Sequence, residues 1–317
     1  MNKNTKVLAL KYRPSNFDDL IGQNIIAETI INSIKANKTP NAYLFTGIRG
    51  VGKTTIARIV AKSLNCLNSI ENLCKDKLCE NCEAITNSNH IDVLELNGAD
   101  KTSINDIRDL IELSRYRPTS SKFKIFIIDE VHQISSAAFN ALLKILEEPP
   151  EYIKFIFATT EIKKIPVTIL SRCQRFDLKR VESNDLIQFI KKISVKENVE
   201  IEDDAISILV RAGDGSVRDT LSLFDQSILN NNTIVTAKIV NNMLGIADRG
   251  KIYDLLRNIT KGKSSESLVI FRDLYNSGAD ILMIFEELLN AVHSITQIKI
   301  SPDIINDISI PELERTE

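Results

Sequence analysis

Short apolar runs recur through the first half of the chain and a little beyond, each closing on a small or polar residue. Ala42-Tyr-Leu-Phe45 runs into Thr46-Gly47. Ile91–Leu96 alternates, Lys124–Asp129 and Ile153–Thr159 are nearly continuous, and Gln174–Leu178 is a short last member. Continuous β-branched and aromatic runs of this length predict strands covered on both faces, as in a parallel sheet. Between them a 3.6-residue period predicts helices over Lys53–Leu64, Ile104–Leu113 and Ala137–Glu147, the last stopped by Pro149-Pro150. Strands alternating with helices imply a doubly wound α/β sheet over residues 1–178. From about Ser183 the strand signals vanish. Helices are expected over Ser183–Lys196, Asp203–Ala212 and Ser216–Leu229, the first and third opening on serines suited to capping. These form a small all-α unit over 179–235. A further helical block, 236–317, holds Ile252–Ile259, Ser265–Tyr275 and Ile281–Thr296, and is expected to stop before it is complete.

Composition narrows the class. A length of 317 residues suits two or three domains, and 43% hydrophobic with 26% charged residues fits an ordinary globular protein. No apolar run approaches the ~18–20 residues that span a bilayer. The stretch Val7–Leu10 is short and ends at Lys11-Tyr-Arg13, so no secretory signal is expected and a cytoplasmic location follows. The net charge of −2 excludes a chain that binds nucleic acid through its overall field; DNA contact would need a local basic surface or several subunits. With no Trp and 6% aromatics, a base-stacking platform is not expected.

The strongest chemical signal is Gly47-Ile-Arg-Gly50-Val51-Gly52-Lys53-Thr54, a complete P-loop between a predicted strand and a predicted helix. Its glycines let backbone N–H groups turn around phosphate oxygens. Lys53 brings a positive charge to the β and γ phosphates, and the Thr54 hydroxyl faces Mg²⁺, with Thr55 following. Asp129-Glu130 closes the strand Ile125–Ile128, the Walker B arrangement: Asp129 at the metal, Glu130 placed to orient and deprotonate water. His132 completes Asp-Glu-Val-His, which also resembles a helicase motif, but only helices follow residue 178, so His132 is expected to be structural. Thr159-Thr160 ends the next strand, where a polar side chain can reach the γ-phosphate or water. Arg172, in Ser171-Arg-Cys173, and Arg218, in Gly215-Ser-Val-Arg-Asp219, read equally well as plain surface charges on spacing alone.

Cys66, Cys74, Cys79 and Cys82 follow the spacing Cys-x7-Cys-x4-Cys-x2-Cys. Clustered thiols in a chain expected to be cytosolic point to metal, and four thiolates suit a closed, structural Zn²⁺ site. His90 is a weaker substitute ligand. Cys173 stands apart and reads as packed.

Several segments together resemble one family. Leu10-Lys-Tyr-Arg-Pro14 and Phe17-Asp-Asp-Leu-Ile-Gly-Gln23 look like the opening of bacterial clamp-loader gamma/tau subunits of DNA polymerase III. The P-loop, Ile128–His132, Phe139-Asn-Ala-Leu-Leu-Lys-Ile-Leu-Glu-Glu-Pro-Pro150, Ala158-Thr-Thr160, Pro166–Cys173 and Gly215–Asp219 continue the match, as does the cysteine insertion at 66–82. The resemblance covers the chain to about residue 230 and weakens after it. Four residues separate the second and third cysteines here, a wider gap than is usual in the family. The resemblance implies an AAA+ ATPase module, a helical lid at 179–235 and the start of a helical collar at 236–317 that joins subunits. It implies Arg13, Pro14, Ile21 and Gly22 at the adenine, Thr160 as sensor 1, Arg218 as sensor 2, and Arg172 as a finger acting in trans on a neighbour's ATP. It places Lys101, Arg108, Lys144 and Thr168 at phosphates of primed DNA. The implied cofactors are ATP, Mg²⁺ and Zn²⁺. The implied partners are delta, delta-prime, further gamma/tau copies, the sliding clamp and primed DNA, with no membrane. Two alternatives stay open: a non-hydrolysing delta-prime-like subunit, which would have a degraded P-loop, and a branch-migration or initiator ATPase, which would lack the cysteine insertion. No polymerase carboxylate constellation is identified.

Overall fold

The computed structural model describes residues 7–68, 74, 78–99, 104–230, 234–244, 249–276 and 280–300. It separates into two compact units, Ala9–Val181 with Ser216–Arg218, and Met1–Leu8 with Glu182–Gly215 and Asp219–Glu317.

The first unit is built on a five-stranded parallel sheet of β1 (Ala42–Thr46), β2 (Val93–Asn97), β3 (Lys124–Asp129), β4 (Ile153–Thr159) and β5 (Gln174–Asp177), in the order β2-β3-β4-β1-β5. Alternation along each strand divides the core between two faces. Tyr43, Phe45, Ile125, Ile127, Ile156 and Phe176 pack with helices Asn24–Lys35 and Lys53–Asn65 on one face. On the other, Leu44, Phe126, Ile128, Phe155 and Phe157 pack with helices Ile104–Ser114, Ser136–Glu147 and Val167–Leu170. β1, β3 and β4 are buried on both faces, the reason their sequences read as continuous apolar runs. The strand at β2 starts two residues later than the alternation suggests. Ile91 lies in a turn, 65% exposed, and the Asp92 carboxylate instead accepts hydrogen bonds from the backbone N–H groups of Thr119 and Ser120, both at 2.8 Å.

The second unit is helical but not wholly so. Glu200–Ile201 and Ile234–Val235 form a small parallel pair, which corrects the expectation that strands end near Ser183. Two-residue strands carry no periodicity to read. Its helices are Ser183–Glu197, Asp203–Ala212, the greater part of Val217–Asn230, Ala237–Leu244, Arg249–Thr260, Ser264–Asn276 and Ile281–Ile300. The first starts one residue earlier than a capping Ser183 would require: Glu182, in extended conformation, is the N-cap, and it makes no side-chain cap bond. Ile252, Leu255, Leu274, Ile284 and Ala291 form a separate cluster under the last three helices. Among the described residues no helix is long and apolar enough to cross a membrane.

Candidate nucleotide site and cysteine centre

β1 delivers the chain into the loop 47–52, where Gly47, Gly50 and Gly52 take positive φ of 147°, 79° and 103°, and helix Lys53–Asn65 starts at Lys53 itself. Val51, within the loop, is buried. Lys53 is buried too, and its Nζ donates to the carbonyl oxygens of Gly47 at 3.1 Å and Ile48 at 2.9 Å. Burial lowers the Lys53 pKa, opposed by the nearby charges of Glu130 and Asp129. The next residue reaches across to β3: Thr54 Oγ1 donates to Asp129 Oδ2 at 2.5 Å. Thr55 accepts from Arg13 Nε at 3.1 Å, tying the opening segment to the first turn of the P-loop helix. Burial, then Arg58, holds the Arg13 guanidinium below its ordinary value, against the opposing charges of Glu95 and Asp129. Pro14 and Ile21 are half-buried nearby in sequence, and Gly22 (φ 68°) lies against Val181.

Glu130 follows β3 in a left-handed conformation, φ 46° and ψ 45°. Its Oε2 accepts from the backbone N–H of Thr160 at 3.2 Å and from Thr160 Oγ1 at 3.1 Å, so the ends of β3 and β4 meet there. His132, expected to be structural, lies in the 3-10 turn Val131–Gln133 beside this group. Its Nδ1 lies 3.0 Å from Thr159 Oγ1 and 3.4 Å from Glu130 Oε2, and its Nε2 3.4 Å from Glu161 Oε1. Gly98, just after β2, was not singled out by sequence. Its N–H donates to Asp129 O at 2.7 Å, and the space where a Cβ would sit is filled by the Glu130 carbonyl. The only sequence signal for it is a glycine directly after a strand.

The backbone N–H of Arg218 donates to Gly50 O at 3.3 Å, and its charge acts on Arg13. Arg172 lies elsewhere: Nη2 pairs with Glu147 Oε1 and Nη1 donates to Thr168 O, both at 2.6 Å. Arg108, Lys144 and Thr168 are exposed on helices Ile104–Ser114, Ser136–Glu147 and Val167–Leu170, which pack in that order. Lys101 lies outside the described residues.

The four sulfurs of Cys66, Cys74, Cys79 and Cys82 lie within 4.8 Å of one another, with Cys66 Sγ and Cys74 Sγ at 3.4 Å. Zn–S bonds of about 2.3 Å set sulfurs about 3.8 Å apart in a tetrahedron, so an all-sulfur donor set of this size fits Zn²⁺. Cys66 ends the P-loop helix, and Cys79 is the N-cap of helix Glu80–Thr86, which holds Cys82. Burial pushes the Cys66 thiol up to about 11. At Cys79 burial also pushes upward, but hydrogen bonds from the Leu67 and Cys82 backbones outweigh it and bring the thiol down to about 7. Polar anchors hold the helix without the sulfurs: Asn81 Nδ2 donates to Asn65 O at 2.9 Å, and Asn65 makes a pair of bonds to the Phe123 backbone at 2.8 and 2.9 Å. His90 is not in the sulfur group; its Nδ1 accepts from the Asp92 N–H at 3.0 Å. Cys173 packs on the core, and burial pushes its thiol up to about 12.

A five-stranded parallel sheet with a P-loop after β1 and an acidic pair at the end of β3, followed along the chain by a helical part, is the AAA+ ATPase fold. The Thermotoga maritima RuvB Holliday junction branch migration motor superposes with a TM-score of 0.55 over 78% of this chain and 79% of that one, at 20% identity, a likeness of fold alone. The family model for the DNA polymerase III delta subunit matches residues 22–182, that for the clamp loader subunit ATPase lid domain 186–232, and that for gamma and tau domain III 235–317. Subunit gamma of Buchnera aphidicola subsp. Baizongia pistaciae is 42% identical over 96% of this chain and 82% of its own length. Subunit tau/gamma of Haemophilus influenzae is 41% identical and subunit tau of Escherichia coli 38% identical. The chain belongs to the DNA polymerase III gamma/tau subunit family. It spans 44% of the length of the Haemophilus relative and 48% of the Escherichia coli one.

Proposed function

We propose that this chain is an ATP-driven motor subunit of a bacterial DNA polymerase III clamp loader, which binds and hydrolyses ATP to load the sliding clamp on primed DNA. The observation that carries this reading is the junction of loop 47–52, Thr54 and Asp129, with Glu130 beside it. On ATP binding, Lys53 exchanges its bonds to Gly47 and Ile48 carbonyls for β and γ phosphate oxygens. Thr54 and Asp129 would hold Mg²⁺, which would neutralise charge at those phosphates. Glu130 orients the attacking water and accepts its proton, and Thr160 senses the γ-phosphate from the end of β4. Arg13, Pro14, Ile21 and Gly22 take the adenine side, while Arg218 reaches the phosphates from its place beside Gly50. Arg172 leaves Glu147 to serve the nucleotide of a neighbouring subunit.

The working assembly contains delta, delta-prime and further gamma/tau copies. Lys101, Arg108, Lys144 and Thr168 serve as contacts to the DNA backbone, Cys66, Cys74, Cys79 and Cys82 would hold Zn²⁺, and the chain works in the cytoplasm. Its working division is an ATPase domain (1–178), a lid (179–235) and a collar (236–317). The rival reading, a non-hydrolysing subunit of the delta-prime kind, would have no use for Lys53, Thr54, Asp129 and Glu130 together. Equilibrium binding and single-turnover hydrolysis of ATP by Lys53→Ala and Glu130→Gln test the choice. The Lys53→Ala chain should lose binding, and the Glu130→Gln chain should bind ATP and retain it. Hydrolysis at the normal rate by Glu130→Gln contradicts the assignment of Glu130.

A further inference from the structure

We infer that His132 is a positioning residue that fixes the orientation of the Glu130 carboxylate. The inference rests on the reading of Glu130 as the group that accepts the water proton. His132 lies two residues beyond Glu130, and its side chain is 5% exposed. A ring held only for packing needs apolar neighbours, whereas both nitrogens here face oxygen atoms at the ends of β3 and β4. Nδ1 lies 3.0 Å from Thr159 Oγ1 and 3.4 Å from Glu130 Oε2, and Nε2 lies 3.4 Å from Glu161 Oε1. Thr159 is itself anchored: it is fully buried on β4, and its Oγ1 accepts the Glu161 N–H at 3.0 Å. The imidazole is therefore a rigid spacer between a fixed hydroxyl and a carboxylate on a left-handed residue that sits outside regular structure.

Glu130 Oε2 accepts from Thr160 N–H and Thr160 Oγ1, and His132 Nδ1 lies 3.4 Å from the same oxygen. With Oε2 committed to protein donors, acceptance of the water proton falls to Oε1. Thr160 is the residue proposed to feel the γ-phosphate, so its two bonds to Glu130 alter when nucleotide arrives. His132 is buried behind the pair and is the contact that remains to hold the carboxylate through that change. A carboxylate free to swing would spend less time aligned with the water, which lowers the rate of the chemical step and leaves ATP binding alone.

The test compares His132→Leu, His132→Asn and His132→Gln in the full chain. An Asn amide nitrogen lies near the position of Nδ1, and a Gln amide nitrogen near that of Nε2. Single-turnover hydrolysis, ATP affinity and melting temperature are measured for each. His132→Leu should lose about tenfold or more in hydrolysis with unchanged ATP affinity, and His132→Asn should recover most of the loss while His132→Gln does not. In a Glu130→Gln background, His132→Leu should cause no further loss. Normal hydrolysis by His132→Leu overturns the inference, as does Asn performing no better than Gln. If the Leu variant does not fold, the Asn and Gln pair decides by the same comparison. A Glu130→Gln chain that hydrolyses normally defeats the reading beneath; an inactive Glu130→Gln with an unaffected His132→Leu defeats this inference alone.

Discussion

Adding one methyl group at Gly98 should slow hydrolysis about 10²-fold while the protein still folds and binds ATP. Gly98 takes an ordinary φ, so alanine meets no backbone strain there; the obstacle is space. A Cβ would sit 2.5 Å from Glu130 O, 3.0 Å from Asp129 O and 3.1 Å from Glu130 C, all of them backbone atoms. Comfortable separations begin near 3.5 Å, so the Glu130 peptide or the end of β2 must retreat by roughly 0.5–1 Å. Overpacking of this kind costs about 1–3 kcal/mol of stability. The same displacement carries the Glu130 carboxylate away from the water, and a misplacement of about 1 Å can cost about 10²-fold in rate. Gly262→Ala is the matched control. Its φ is +71° with nothing within 4 Å of the added carbon, so it loses about 1–2 kcal/mol to backbone strain without touching the site. Single-turnover hydrolysis, nucleotide affinity and thermal melting are read for both variants below their melting temperatures. Gly98→Ala should hydrolyse far more slowly than Gly262→Ala at similar stability, with ATP still bound. Equal hydrolysis by the two would refute the claim that the β2 end braces Glu130.

Protein purified without chelator should carry about one zinc per chain, and removing it should release the insertion while ATP binding survives, since Asn65 and Asn81 still anchor helix Glu80–Thr86; four freely titrating thiols without metal would contradict the site. Mixing Lys53→Ala chains with Arg172→Ala chains in assembled complexes should regain part of the hydrolysis each lacks, and no recovery, with Arg172→Ala fully active alone, would remove Arg172 from the trans role. Acid should weaken the fold in two steps. Burial holds the His90 pKa below its ordinary value, so its contribution is present above about pH 6.5 and fades as pH falls through the folded value. Asp92 is pushed up by burial but more strongly down by hydrogen bonds from Ser120, Thr119 and Ser121; its net lowered pKa contributes above about pH 3.9 and is lost below. Urea melts should show His90→Gln flattening the first step, and an unchanged pH slope would exclude His90 as its source.

The parts of the fold that sequence revealed are those where one physical demand dominates. β3 and β4 carry their predicted limits because strands buried on both faces admit only apolar residues between polar ends. Helix Asn24–Lys35 was not expected, although Ala27 and Ile30 mark its inner face; its apolar residues are interleaved with polar ones too evenly to stand out from the surrounding loop. The P-loop residues, Asp129 and Glu130 were legible because phosphate and metal chemistry restrict both residue type and spacing. The contacts around Glu130 were not. His132, Thr160 and Gly98 reach it from three different strand ends, and a contact across a sheet leaves no local period. The Glu147 partner of Arg172 was hidden in the same way, 25 residues away along the chain.

If ATP hydrolysis by this chain drives clamp loading, as proposed, the rate must respond to clamp and DNA. The most direct measurement is the ATPase rate of a reconstituted complex containing this chain, delta and delta-prime, with and without sliding clamp and primed DNA, repeated with Glu130→Gln. Clamp and primed DNA together should raise the rate about tenfold or more, below the ceiling of about 10³–10⁵ that completing a phosphoryl-transfer site can supply, and Glu130→Gln should abolish that increment while the complex still forms. A rate indifferent to clamp and DNA, or one that persists in Glu130→Gln, would contradict the proposal.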